Sequence, residues 1–322
     1  MRKDHLTHPS HKIAGLIPLI LVIIAALILV FLQTKSAISD ESAEKFSRLN
    51  NKYDMVISGD LLGGENSRLV ADLYEADLMS NNKYDRDAKG LILSFKDGFN
   101  EGGILLLQPM HKIADSTLSQ IAKEYFEAIP ELEYAETDQS IEFEGSPTYT
   151  VPNFEAEEVV LAELEDSEVT VAVIDSGLDT EHEFFENTTV LEGWNTADDN
   201  SDVSDEISHG THMTGIIVKN APEAVIIPYK IANASGGKLS NVLAAFGLAL
   251  ESEADVINTS FGVSGNSYAL YKMLNRADEK GVIVVSAAGN NGQDENFYPA
   301  TYGESIAVAG VDDYGSKMPR SN

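Results

Sequence analysis

No cysteine occurs in the 322 residues. Disulfide frameworks, thiolate metal sites and cysteine nucleophiles are excluded together. Basic residues are scarce as well: 22 Lys and Arg stand against 52 Asp and Glu, a formal charge of −30. Such a body repels nucleic acid and anionic lipid, so neither is an expected partner for it. The acidity suits a soluble domain in a cation-rich exterior. Internal repeats are absent, and so is any H-E-x-x-H metal helix.

What the chain does have begins at its amino end. Residues 13–32, IAGLIPLILVIIAALILVFL, are uncharged throughout and about long enough to cross a bilayer. The core of a secretory signal is usually shorter, roughly 7–15 residues. Arg2, Lys3 and Lys12 precede the run and the acidic bulk follows it, so the tail 1–12 is expected inside and the body outside. The reading is a single-pass cell-membrane anchor with an extracytoplasmic body. The small residues Ser36, Ala37 and Ser39 leave cleavage and secretion as the alternative.

Residues 40–52 are polar and charged and read as a spacer. The stretch 53–143 reads as a small α+β unit, with apolar strands at 55–57, 91–95 and 104–107. Leu118, Ile121, Ala122, Tyr125 and Ile129 fall on one helical face, closed by Pro130. A last strand-like stretch, ELEYAETDQSIEF, completes the unit. Seven acids and no base occupy 155–168, downstream of Pro147 and Pro152, as in an exposed linker. The domains expected are therefore 40–145 and 150–322.

From Val169 the texture changes. Apolar strands at 169–174, 225–231, 255–258, 282–287 and 305–311 alternate with helical segments at 240–251 and 268–280. Ser240 is expected as an N-cap, and Gly281 closes the second helix. Strands buried on both faces and separated by helices predict a parallel sheet covered on each side. Functional groups in such sheets gather at the carboxyl ends of strands.

Asp175 stands at such an end, directly after VTVAVI. It is either a turn aspartate or a carboxylate that orients a histidine. The segment SDEISHGTHMTGIIV offers His209 and His212, three apart at the start of a predicted helix. That spacing, with Gly and Thr between, is poor for a metal pair. The loop 198–205 partly resembles a calcium loop, but Val203 stands where Gly is needed and His209 where Glu is. In VVSAAGNNG, Asn290 follows a strand among small residues. It is either a plain turn residue or an amide donor to a developing oxyanion.

Taken in order, VAVIDSGLD, HGTHMTG, VINTSFG and SAAGNNG resemble the subtilisin-like serine proteases, and YPATYGESIAVAGVD extends the likeness. The resemblance implies a subtilisin-like α/β domain in which Asp175 and His209 belong to a Ser-His-Asp triad and Asn290 is the oxyanion amide. His212 is then structural. Ser260, Phe261, Gly262, Gly236 and Gly237 would be edge segments pairing with an extended peptide, and Gly289 would help line the first pocket. Residues 53–143 resemble the family's propeptide, so the expected partners are protein or peptide substrates, the chain's own N-terminal domain, and the membrane. No cofactor is required for such chemistry. Phe184 stands where relatives offer a calcium-binding acid, which leaves the 198–205 loop as the candidate for structural calcium.

The family serine lies in a Gly-Thr-Ser-type motif, and Ser316 and Ser321 lack its strand-to-helix setting. It is expected beyond Asn322. Two further readings stay open: an inactive peptide-binding relative, and a metal-assisted hydrolase using Asp175, His209 and His212.

Overall fold

The computed structural model describes residues 39–53, 55–60, 88–96, 103–141, 143, 169–312 and 314–322. The apolar run 13–32 and the acidic linker 155–168 lie outside these residues. Among the described residues no helix is long and apolar enough to cross a membrane.

The first unit comprises α1 (Asp40–Tyr53), β1 (Met55–Asp60), β2 (Leu91–Phe95), β3 (Ile104–Pro109), α2 (Asp115–Ala128) and β4 (Leu132–Thr137). Its strands form one antiparallel sheet in the order β1-β3-β2-β4. The segment 40–52 is a helix and not a spacer. Phe46 is buried edge-on against Tyr125 of α2, and Ala43, Leu49 and Tyr53 line the same face. Four apolar positions scattered among charges make a helix worth forming only when α2 is there to cover them.

Strands β2 and β3 are buried along their whole length, and the alternation of side chains explains why. Leu91, Leu93, Phe95, Leu105 and Leu107 face the two helices. Ile92, Ile104 and Leu106 face the other way and join the large core of the second unit. One sheet thus serves two cores.

The second unit carries a six-stranded sheet, all parallel, in the order β13-β12-β11-β6-β8-β7. These strands are β6 (Thr170–Asp175), β7 (Trp194–Asn195), β8 (Val225–Lys230), β11 (Val256–Thr259), β12 (Ile283–Ala287) and β13 (Ser305–Val308). Helices α3 (His209–Asn220), α4 (Leu239–Glu251) and α5 (Tyr268–Lys280) connect them. The chain starts at β6, passes to the edge strand β7, returns to β8 beside β6, and then crosses to the other side of β6 with β11. That reversal makes the carboxyl end of β6 the switch point of the sheet, where a crevice forms. Helix α5 opens with Ser267 accepting from the Leu270 amide and closes on Gly281, as expected.

A short strand β5 (Ser140–Ile141) leaves the first unit and pairs antiparallel with β10 (Gly236–Lys238), which also pairs with β9 (Ala232–Asn233). The strand-like stretch 131–143 is therefore two strands, broken at Asp138 and Gln139. The break has a cause. Asp138 turns into the second unit, where its carboxylate accepts from the Ser240 amide (2.9 Å) and hydroxyl (2.7 Å). Ser240 is therefore not the N-cap of α4: the helix begins at Leu239, and the capping oxygen comes from Asp138. Glu136 behaves similarly, accepting from Ser267 Oγ and the Ala269 amide at the start of α5.

Candidate active site

Asp175 ends β6 with its side chain buried, and His209 opens α3 with its ring buried. The His209 Nδ1 lies 2.7 Å from Asp175 Oδ1, and the Ser176 amide donates to the same oxygen at 2.7 Å. The helix can start so close to the strand end because residue 210 is glycine. A Cβ there would run into the Gly177 carbonyl and lie 3.1 Å from Asp175 Cβ.

Burial alone would lower the His209 pKa, but the hydrogen bond and charge of Asp175, with the charge of Asp205, lift it above the ordinary histidine value. Burial also pushes the Asp175 carboxyl up against its donors. The histidine's direction governs the pair, because two donors at 2.7 Å on one Asp175 oxygen favour its charged form. The arrangement can hold one imidazole tautomer and stabilise the imidazolium once a proton is taken up. Among the described residues only Asp175 hydrogen-bonds to the His209 ring.

His212, one helical turn on, is exposed, so the two histidines do not converge. Among the described residues no three His, Asp or Glu side chains are placed to hold a metal. In the 198–205 loop, Asp198 accepts from the Asn195 and Asn233 amides, and Asp202 from the Ser204 amide. Asp205 is surrounded by donors from Ser176 and Thr211. These carboxylates accept from separate protein donors. Phe184 lies at the surface, edge-on to Phe185.

The other expected residues fall into two groups. Gly236 and Gly237 form β10, and Gly237 is where Ile141 crosses. A Cβ at 237 would strike Ile141 Cδ1 and lie 2.6 Å from the Ile231 carbonyl oxygen. Ser260 is half-buried and accepts from Asn258 Nδ2, while Phe261 and Gly262 are buried. Phe143 links these features to the pair: its ring centroid is 5.4 Å from the His209 imidazole and 6.2 Å from Phe261.

Gly289 and Asn290 follow β12. The Gly289 carbonyl accepts from the Asn322 amide at 3.0 Å, and Asn290 is exposed on the turn. The structure does not bring Ser321 forward: it is buried, and its hydroxyl accepts from the Gly310 amide at 2.9 Å. Sequence reading overlooked Phe143 and the paired acids Glu136 and Asp138. Of these, only the strand-like run that contains them carried a signal.

The structure thus places a buried carboxylate–imidazole pair at the switch point of a parallel α/β sheet. Residues 166–322 match the Subtilase family model. The chain is 37% identical over 163 residues to the Thermophilic serine proteinase of Bacillus sp. (strain AK1), covering 47% of this chain and 40% of that one. Thermitase of Thermoactinomyces vulgaris is 33% identical over 164 residues, 48% of this chain and 58% of the relative. Subtilisin E of Bacillus subtilis (strain 168) is 31% identical over 214 residues, 62% of this chain and 55% of the relative. The chain spans about half the length of these relatives.

Proposed function

We propose that this chain belongs to a serine endopeptidase that is exported and held at the cell membrane by residues 13–32. Asp175 orients His209, His209 acts as general base and then general acid, and the Asn290 amide donates to the oxyanion. On this reading His209 serves a serine hydroxyl. The chemistry needs no cofactor, and the 198–205 loop is the candidate for structural calcium.

One observation supports the reading: an extended segment from the first unit pairs with β10 and brings Phe143 beside His209. Ile141 pairs with Gly237, and two residues later Phe143 packs against His209. That is how an edge strand presents a peptide to a catalytic group. Residues 40–145 are on this reading a propeptide-like domain whose tail occupies the substrate path.

The test is expression from the complete reading frame. Peptide turnover and labelling by a serine-reactive phosphonate are expected. His209→Ala should abolish both. Asn290→Ala should cost about 10²–10³ in turnover, a magnitude already established for the oxyanion donor of a subtilisin. A complete protein that binds peptides but neither turns over nor labels is a peptide-binding relative, and the protease reading fails.

A further inference from the structure

Asp205 lies outside the pair just described, four residues before His209, and it is surrounded by hydrogen-bond donors. Its Oδ1 accepts from Ser176 Oγ at 2.8 Å, the Ile207 amide at 3.1 Å and the Ser208 amide at 2.9 Å. Its Oδ2 accepts from the Thr211 amide at 2.9 Å and hydroxyl at 2.7 Å. Burial opposes its ionisation, but the Thr211 and Ser176 donors outweigh it and hold the carboxyl below its usual range.

An ordinary helix cap needs donors only from its own first turn. Asp205 supplies that cap, since Ser208 at the N-cap position makes no side-chain bond and sits at φ 67, a left-handed conformation that non-glycine residues adopt at a cost. One contact exceeds a cap's needs. Ser176 belongs to a different element, and its hydroxyl also accepts from the Gly210 amide at 2.9 Å. Ser176 is chain neighbour to Asp175 and Gly210 to His209. The bonds therefore close a ring running Asp175, Ser176, Asp205, Thr211, Gly210, His209 and back to Asp175.

We propose that Asp205 is a positioning residue for the Asp175–His209 pair, locking the strand end that bears the acid to the helix turn that bears the base. It rests on the protease reading for what the pair is used for, and on geometry alone for the lock. A ring of this kind fixes two side chains from two elements within the tolerance a proton transfer demands. Asp175 and Asp205 are the charged groups acting on His209, and Phe143 on the remaining side is uncharged.

The experiment is a ring-nitrogen NMR titration of the 322-residue chain, with the His209 signal assigned by comparison with His209→Gln. Asp205→Asn keeps the shape and removes the charge. It should lower the His209 midpoint by about half a pH unit and weaken the downfield Nδ1 proton bonded to Asp175. Asp205→Glu should restore the midpoint. Ser176→Ala leaves the carboxylate but cuts the link, so the Nδ1 proton should weaken while the midpoint moves little. If Asp205→Asn lowers the melting temperature and leaves both His209 signals as they were, Asp205 is a plain cap and the proposal is overturned. Should that variant not fold, Ser176→Ala decides alone, an unchanged Nδ1 proton overturning the lock. In the protein from the complete reading frame, Asp205→Asn should reduce kcat about tenfold with KM nearly constant. Absence of turnover in the unmutated protein would sink the protease reading and leave the titration result standing.

Discussion

Helix α3 takes its cap from Asp205, four residues before its first residue, whereas α4 takes its cap from Asp138, 102 residues upstream in the other unit. Helix α5 divides the task between its own Ser267 and the distant Glu136. The difference teaches how the parallel domain depends on its partner. The helix that bears His209 is finished by its own loop. The two helices that cover the far side of the sheet are finished from outside, by the same strand that leads into the groove. Undocking the first unit should therefore loosen α4 and α5, expose Ile92, Ile104 and Leu106, and leave the Asp175–His209 pair in place.

The sharpest way to break this contrast is pH. Burial pushes Glu136 from the ordinary 4.5 up to about 7 despite its donors from Ala269 and Ser267. Its Oε2 has no hydrogen-bond partner among the described residues, which leaves the charged form under-solvated. Burial raises Asp138 as well. A group whose pKa is raised in the docked state takes up a proton on docking, so docking is strongest below about pH 5 and weakens as pH rises through 7. Amide-exchange protection of the β5–β10 pair, corrected for intrinsic rates, should fall by roughly a hundredfold across that window. Glu136→Gln should flatten most of the dependence. The pair at the switch point titrates with the opposite demand, since lowering the pH charges His209 and removes the base.

Next in size is Asp138→Ala, which strips α4 of its cap and leaves the Ser240 amide and hydroxyl buried. It should cost about 2 kcal/mol of docking, read from the same protection factors. Asp205→Ala should leave those factors nearly unchanged, and equal losses in both variants would erase the distinction between internal and external caps. Ile141→Ala removes three buried carbons from the tail and should cost about 2 kcal/mol in β5–β10 protection. The smallest effect is expected from Ser240→Ala, about 1 kcal/mol or less, because the Asp138 bond to the Ser240 amide survives.

Much of the parallel domain was legible because its signals are local. VTVAVI followed by Asp175 announces a buried strand with an acid at its end, and Tyr268 to Gly281 carries both the period and the stop of α5. The run HMTGIIV announced α3, although the helix begins three residues earlier, at His209. What could not be read depends on distant partners. Ser240 has the chemistry of an N-cap, yet Asp138 arrives from the other unit and makes Ser240 a donor instead. The helix α1 hides its face among charges, since Phe46 and Leu49 become apolar contacts only when α2 lies beside them. Phe143 belongs to no periodic segment, and only the pairing of Ile141 with Gly237 brings its ring to His209.

That pairing also gives the groove a direction. Ser140 stands opposite Lys238 and Ile141 opposite Gly237, and the chain then runs on toward His209. On the protease reading, a substrate using the same backbone bonds would thread with its amino end at Lys238 and its carboxyl end at the imidazole. It must also arrive stretched, because a helical segment has already turned its amides inward. On that reading, the β10 edge would sort chains by conformation before side chain. A well-folded protein is a poor guest until a surface loop or a frayed terminus opens a few residues of backbone, and the cost of that opening is written in the guest's own stability.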